Sequence, residues 1–233
     1  MVILALLSAA LAFVLSASAG MGGSLILVPV LGLLLGPKEG IAVSSLLLGG
    51  NNIVKVIAYR QTIPWRAVAG VLVLTVIGSA IGAQLLINAP ARGVSLVVII
   101  TLSATFLTER MQLFSTARRS APLLAFCAGA TSGFSGSAGP LKGIALRNMA
   151  FDRRYMVGAA SAVSLAGDAV KATIFTQNAL LDSTSWLIVL CALPLMPLAT
   201  LIGRRFVGQM SERTYTILFW MVMAGYLLRL LLA

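Results

Sequence analysis

Histidine is absent from this chain of 233 residues, and Asp and Glu together number only 6. The commonest general base and the commonest metal ligand are therefore both missing. The two cysteines, Cys127 and Cys191, each lie inside an apolar run, so there is no disulfide framework and no metal-ligand spacing. Charged residues make up 10% of the chain, whereas a soluble domain carries about 25%. A water-soluble protein of this composition would lack the polar residues to cover its surface. No cofactor site is expected, and no acid/base pair for a membrane-embedded enzyme can be assembled.

What is abundant is apolar sequence. Hydrophobic residues reach 59% and the mean hydropathy is +1.01. Long runs extend from Val2 to Ala19, Ile41 to Tyr59, Val68 to Ile87, Val94 to Leu107, Leu187 to Ile202 and Ile217 to Ala233. A helix needs roughly 17–25 mostly apolar residues to cross a bilayer. A closed barrel would show alternating strands, and none is present. Residues 1–19 end in Ala17-Ser18-Ala19, which resembles a cleavage site, yet no positive segment precedes them. They are read as a membrane element.

A repeat runs through the chain without gaps. Gly20 falls on Gly136, Gly23 on Gly139, Leu25 on Leu141, Ser45 on Ser161, Val54 on Val170, Lys55 on Lys171 and Gln61 on Gln177. The offset is 116 throughout. Each copy opens with an apolar stretch broken near its middle, at Gly20-Met21-Gly22-Gly23-Ser24 and at Gly136-Ser137-Ala138-Gly139-Pro140. The first repeat is expected over 1–107, with a hairpin over 1–36 and helices at about 40–59, 66–87 and 93–107. A cytoplasmic linker, 108–120, follows. The second repeat takes 121–233, with a hairpin over 121–151 and helices at about 155–176, 184–202 and 213–232.

The formal charge of +11 suggests nucleic acid or anionic lipid as a partner, but no basic run carries interleaved aromatics. Nucleic acid is excluded as a partner, and the lipid bilayer is expected as one. The positive residues instead mark the loops. If each broken segment returns to the side it entered from, eleven arginines share one face: Arg60, Arg66, Arg110, Arg118, Arg119, Arg147, Arg153, Arg154, Arg204, Arg205 and Arg213. The other face holds Lys38, Arg92 and Arg229. The positive-inside rule makes the first face cytoplasmic. Both termini then lie outside, and the two repeats are inverted. The fold class expected is an all-α polytopic membrane protein of two inverted repeats, each a broken helical hairpin plus three transmembrane helices. A bacterial-type plasma (inner) membrane is its expected place.

The breaks are the first candidate site. Lipid cannot satisfy the backbone that a glycine cluster frees, so such a break lines a cavity or is buried in protein. A half-helix starts after each, near Ser24 and near Leu141, with unpaired N–H groups and the positive end of its dipole. Two such ends facing each other near the midplane would hold a small anion. Gly20, Gly22, Gly23, Ser24, Gly136, Ser137 and Gly139 are the candidates there. The competing reading is tight helix packing. Lys55 and Lys171, each about four residues before the end of its span, either line a polar path or snorkel to headgroups. Ser45, Asn52, Lys55 and Tyr59 share one face, as do Ser161, Asp168, Lys171 and Phe175, which snorkelling does not require. Asp168 stands three residues before Lys171 and either compensates it or couples a proton. Lys142, just past the second break, either adds charge to the site or reaches toward the cytoplasm.

The stretch Gly20-Met21-Gly22-Gly23-Ser24-Leu25-Ile26-Leu27-Val28-Pro29 resembles the glycine-rich, proline-ended motif of the sulfite exporter TauE/SafE family of membrane permeases. The resemblance covers essentially the whole chain, with the motif repeated in both halves. Ser24 stands where a further glycine is common, and Ala138 replaces a glycine in the second copy. The resemblance implies about eight hydrophobic segments and transport of sulfite, a sulfonate or a related small organosulfur anion. The expected function is a membrane transporter of such an anion by alternating access, and not an enzyme. An anion channel of the same fold is the alternative, and a homodimer is left open.

Overall fold

The computed structural model describes residues 1–19, 23–111, 121–137, 139–147, 149 and 153–205. Gly20, Gly22, most of the linker and the helix expected over 213–232 lie outside the described residues. Among the described residues there are helices and turns and no strand. The helices are α1 (Val2–Ala19), α2 (Gly23–Leu35), α3 (Pro37–Tyr59), α4 (Trp65–Asn88), α5 (Ala91–Met111), α6 (Ala121–Ser135), α7 (Gly139–Arg147), α8 (Arg153–Gln177), α9 (Ser183–Ala192) and α10 (Leu195–Arg205). A 3-10 turn, Arg60–Thr62, follows α3.

Local chemistry sets several boundaries. Gly36 has φ +103°, which ends α2, and Pro37 starts α3 at the position where a missing N–H costs nothing. Asp182 caps α9, accepting a hydrogen bond from the Ser185 backbone N–H at 2.6 Å. That bond holds the exposed Asp182 carboxyl below the usual carboxylate range.

α3 with its following turn, and α4, are long and apolar enough to cross a bilayer, with mean hydropathies of 1.5 and 2.2. The segment expected as one helix over 184–202 is instead two. α9 and α10 meet at a bend of 46°. Pro194 sits at the bend, where its ring removes an N–H and crowds the preceding turn. The matching position in α4 is Gly78, and α4 runs unbroken.

α4 shows how sequence sorts lipid from interior. Val73, Ile77, Ile81 and Leu85, spaced by four, are 45–57% exposed and form an outward apolar stripe. The opposite face buries Thr75, Gly78, Ser79, Gly82 and Ala83 against α6. There Gly78 and Gly82 lie against the backbone of Phe126, Ala130 and Phe134, and Gly129 and Gly133 against that of Thr75, Ser79 and Ala83. A side chain at any of these four glycines would strike the neighbouring backbone, so the helices approach as small-residue pairs do in membranes. Contacts advance along both helices together, so α4 and α6 run parallel. α1 packs against α10, with Ala5, Ala9, Ala12, Met196 and Ala199 buried in one cluster.

Candidate functional site

The two breaks meet. α2 begins at Gly23 and α7 at Gly139, and the hydroxyls of Ser24 and Ser137 lie 3.0 Å apart. Gly136, at the second break, has φ +77° and faces Val28 of α2 and Ile41 of α3. An L side chain would be strained there by its backbone and by those neighbours. Gly23 has a packing reason as well: a Cβ on it would lie 2.7 Å from the Ala12 carbonyl oxygen and 2.9 Å from the Ser16 Cβ. The start of α2 is thus pressed against α1.

α3 and α8 cross beside these breaks and carry the charged groups. Asn52 donates from Nδ2 to Asp168 Oδ2 at 2.8 Å, so a position meets its own repeat partner 116 residues away. Lys55 Nζ donates to Ser16 Oγ at 2.8 Å, and Lys171 Nζ to Ser132 Oγ at 2.9 Å. These bonds are equivalent in the repeat, each closing 39 residues. Lys171 also pairs with Asp168 at 2.7 Å. Both lysines are almost completely buried, at 2% and 1% exposure, and neither extends to the lipid surface. Burial of a cation is tolerable only with such partners.

A cavity of about 60 Å³ opens at this crossing. Gly23, Ser24, Asn52, Lys55, Gly136, Lys142 and Asp168 line it, which brings seven of the twelve candidates together. Lys142 turns into the cavity and donates to Ser164 Oγ. Ser137 adjoins the cavity through Ser24, and Lys171 through Asp168. Gly139 begins α7 next to it, and Gly20 and Gly22 lie outside the described residues.

Sequence reasoning missed Ser16, Ser132, Ser164, Thr75 and Ser79, all of which line the cavity. Ser16 and Ser132 share the 116-residue offset, so the repeat search could have found them. Ser164 lies between Ser161 and Asp168 on the face already singled out, and was readable by helical spacing. Thr75 and Ser79 have no polar equivalents in the second repeat, where Cys191 and Leu195 stand.

The family model of the sulfite exporter TauE/SafE family matches residues 5–230. The chain belongs to that family. No curated protein and no solved structure matches it. TauE/SafE proteins are membrane exporters rather than enzymes, which agrees with the apolar helices described above. In this member of the family the cavity gathers the ammonium groups of Lys55 and Lys142 and the hydroxyls of six residues, with the Asp168 carboxylate already engaged by Lys171 and Asn52. A site with surplus positive charge and many hydroxyl donors is chemically suited to an oxyanion.

Proposed function

We propose that this TauE/SafE protein carries a small oxyanion, sulfite or a compact sulfonate, across the cell membrane by alternating access at the cavity between the two breaks. The observation that carries this is Lys55. Its ammonium is buried in the cavity against a serine, while the nearby carboxylate is bonded to Lys171 and Asn52. An anion in the cavity would complete its charge balance. Pockets for drug-sized ligands run to roughly 300–1,000 Å³. A cavity of about 60 Å³ favours an anion of a few heavy atoms.

The inverted-repeat arrangement belongs to the same proposal. It is supported by the matched bonds of Lys55 and Lys171, and by Asn52 meeting Asp168 as a point on a pseudo-twofold axis. Parallel packing of α4 and α6 fits it when α1 and α2 fold back as a hairpin. If α1 and α2 form a hairpin, α4 runs opposite to α1, so α6 does too. The first helix of the second repeat is then antiparallel to the first helix of the first. The arginine distribution puts both termini outside and the linker in the cytoplasm.

Lys55→Met tests the proposal, since it keeps the apolar stem and removes the charge. Sulfite uptake into proteoliposomes should fall at least tenfold, about 1.4 kcal/mol, at matched protein insertion. Undiminished uptake would remove the cation from the mechanism. Counterflow that saturates with sulfite concentration is expected of a carrier, and its absence would favour a channel.

A further inference from the structure

Ser79 is fully buried, lines the cavity, and has no hydrogen-bond partner for its Oγ. The other hydroxyls around the cavity are engaged. Ser16, Ser132 and Ser164 accept from lysines, Ser24 pairs with Ser137, and Thr75 Oγ1 donates to the Ala125 carbonyl at 3.3 Å. Buried polar groups are normally satisfied, and an exception calls for an explanation, of which a bound ligand is one.

The surroundings of Ser79 leave it no protein partner. Gly129 and Gly133 of α6 lie against its backbone, and Gly167 of α8 lies against its hydroxyl, where a Cβ would come to 2.9 Å from Oγ. Three glycines thus bring the backbones of α6 and α8 close around one serine at the junction of α4, α6 and α8. They offer no side-chain acceptor, and the Ser79 hydroxyl, unlike that of Thr75, bonds to no backbone carbonyl. Ser79 also breaks the repeat, because Leu195 occupies the matching position. A hydroxyl needed only for helix packing would have no reason to be unpartnered, and one needed for repeat symmetry would recur.

We infer that Ser79 is a substrate-binding and specificity-determining residue, whose hydroxyl, at the junction of α4, α6 and α8, donates to an oxygen of the bound anion. The inference rests on the oxyanion reading above and deepens it. The site is then asymmetric, with α4 supplying a donor that α10 does not. An anion bound there meets cations from α3 and α7 and a neutral hydroxyl from α4. The hydroxyl distinguishes ligands by whether an acceptor oxygen stands on that side.

The test uses the full chain, purified in detergent and also reconstituted, with sulfite as the probe. Ser79→Ala should weaken sulfite binding, read by titrated thermal shift, at least tenfold and raise the KM of uptake in step. The melting temperature without sulfite should stay at or above that of the unaltered protein, because the change deletes an unsatisfied group. Ser79→Cys, similar in size and a weaker donor, should fall between the two. Lys55→Met serves as the control for the anion reading. If Lys55→Met loses sulfite and Ser79→Ala does not, the Ser79 inference is overturned while the anion reading stands. A Ser79→Ala protein that melts several degrees lower marks a structural hydroxyl and also overturns it. If the unaltered protein itself ignores sulfite, the anion reading fails and takes this inference with it.

Discussion

At the scale of single residues, the repeat is most informative where it is imperfect. Positions 52 and 168 face each other across α3 and α8, bonded at 2.8 Å. Two carboxylates so placed would repel, and one would have to keep a proton. One amide and one carboxylate instead make a good hydrogen bond. The asymmetry then propagates: Asp168 neutralises Lys171 and leaves Lys55 without a carboxylate of its own. Lys171→Met should destabilise the protein by about 3–5 kcal/mol, the usual result of stripping one partner from a buried pair. Adding Asp168→Asn should restore most of that loss, because no uncompensated carboxylate remains. Detergent melting curves of the single and double variants check this, and a double variant no more stable than the single would deny the pairing its structural weight. Sequence alone revealed both lysines, Asp168 and their shared helix faces, because these are matters of spacing. It did not reveal Ser79, whose significance depends on what is missing around it.

At the scale of elements, hydropathy located most helices and chemistry trimmed their ends. α3 begins at Pro37 rather than near residue 40, and α2 begins at Gly23, inside its glycine cluster. The bend between α9 and α10 was legible in Pro194, yet the apolar run that contains it reads as continuous. Partner choice is another matter. The four-residue spacing of Gly78 and Gly82, and of Gly129 and Gly133, is plain in the sequence, but nothing local says that these pairs face each other. Their packing gives a contrast within one helix. In Gly82→Leu the new side chain would start 2.9 Å from the Phe134 backbone N and 3.0 Å from the Ala130 carbonyl carbon, forcing α4 away from α6. Gly70, on the same helix, has nothing within 4 Å of the corresponding point. Gly82→Leu should prevent recovery of folded protein from the membrane, whereas Gly70→Leu should be recovered normally. Size-exclusion profiles of the two variants test the contrast, and equal profiles would contradict the close approach of the helices.

At the scale of the whole molecule, an internal repeat is joined to an uneven distribution of arginines. The offset of 116 residues was readable because it has no gaps, and it reappears in bonds that no periodicity rule could supply, such as Lys55 to Ser16 and Lys171 to Ser132. Orientation in the bilayer is not a property of internal contacts, so it rests on the arginines. The inverted topology proposed above would put residue 115, in the linker, in the cytoplasm and the loop between α8 and α9 outside. Single cysteines at Ser115 and Asn178 report these faces, in a background where Cys127 and Cys191 are replaced by serine and alanine. Asn178 is exposed and lies beyond the apolar part of α8, so a cysteine there is open to reagent. A membrane-impermeant maleimide added to intact cells should label position 178 and spare 115, and permeabilisation should open 115 to labelling. Labelling of both sites in intact cells would place the repeats side by side in the same orientation. Parallel packing of α4 with α6 would then have to arise with α1 and α2 crossing as one continuous span, because a same-side hairpin and parallel repeats cannot both hold.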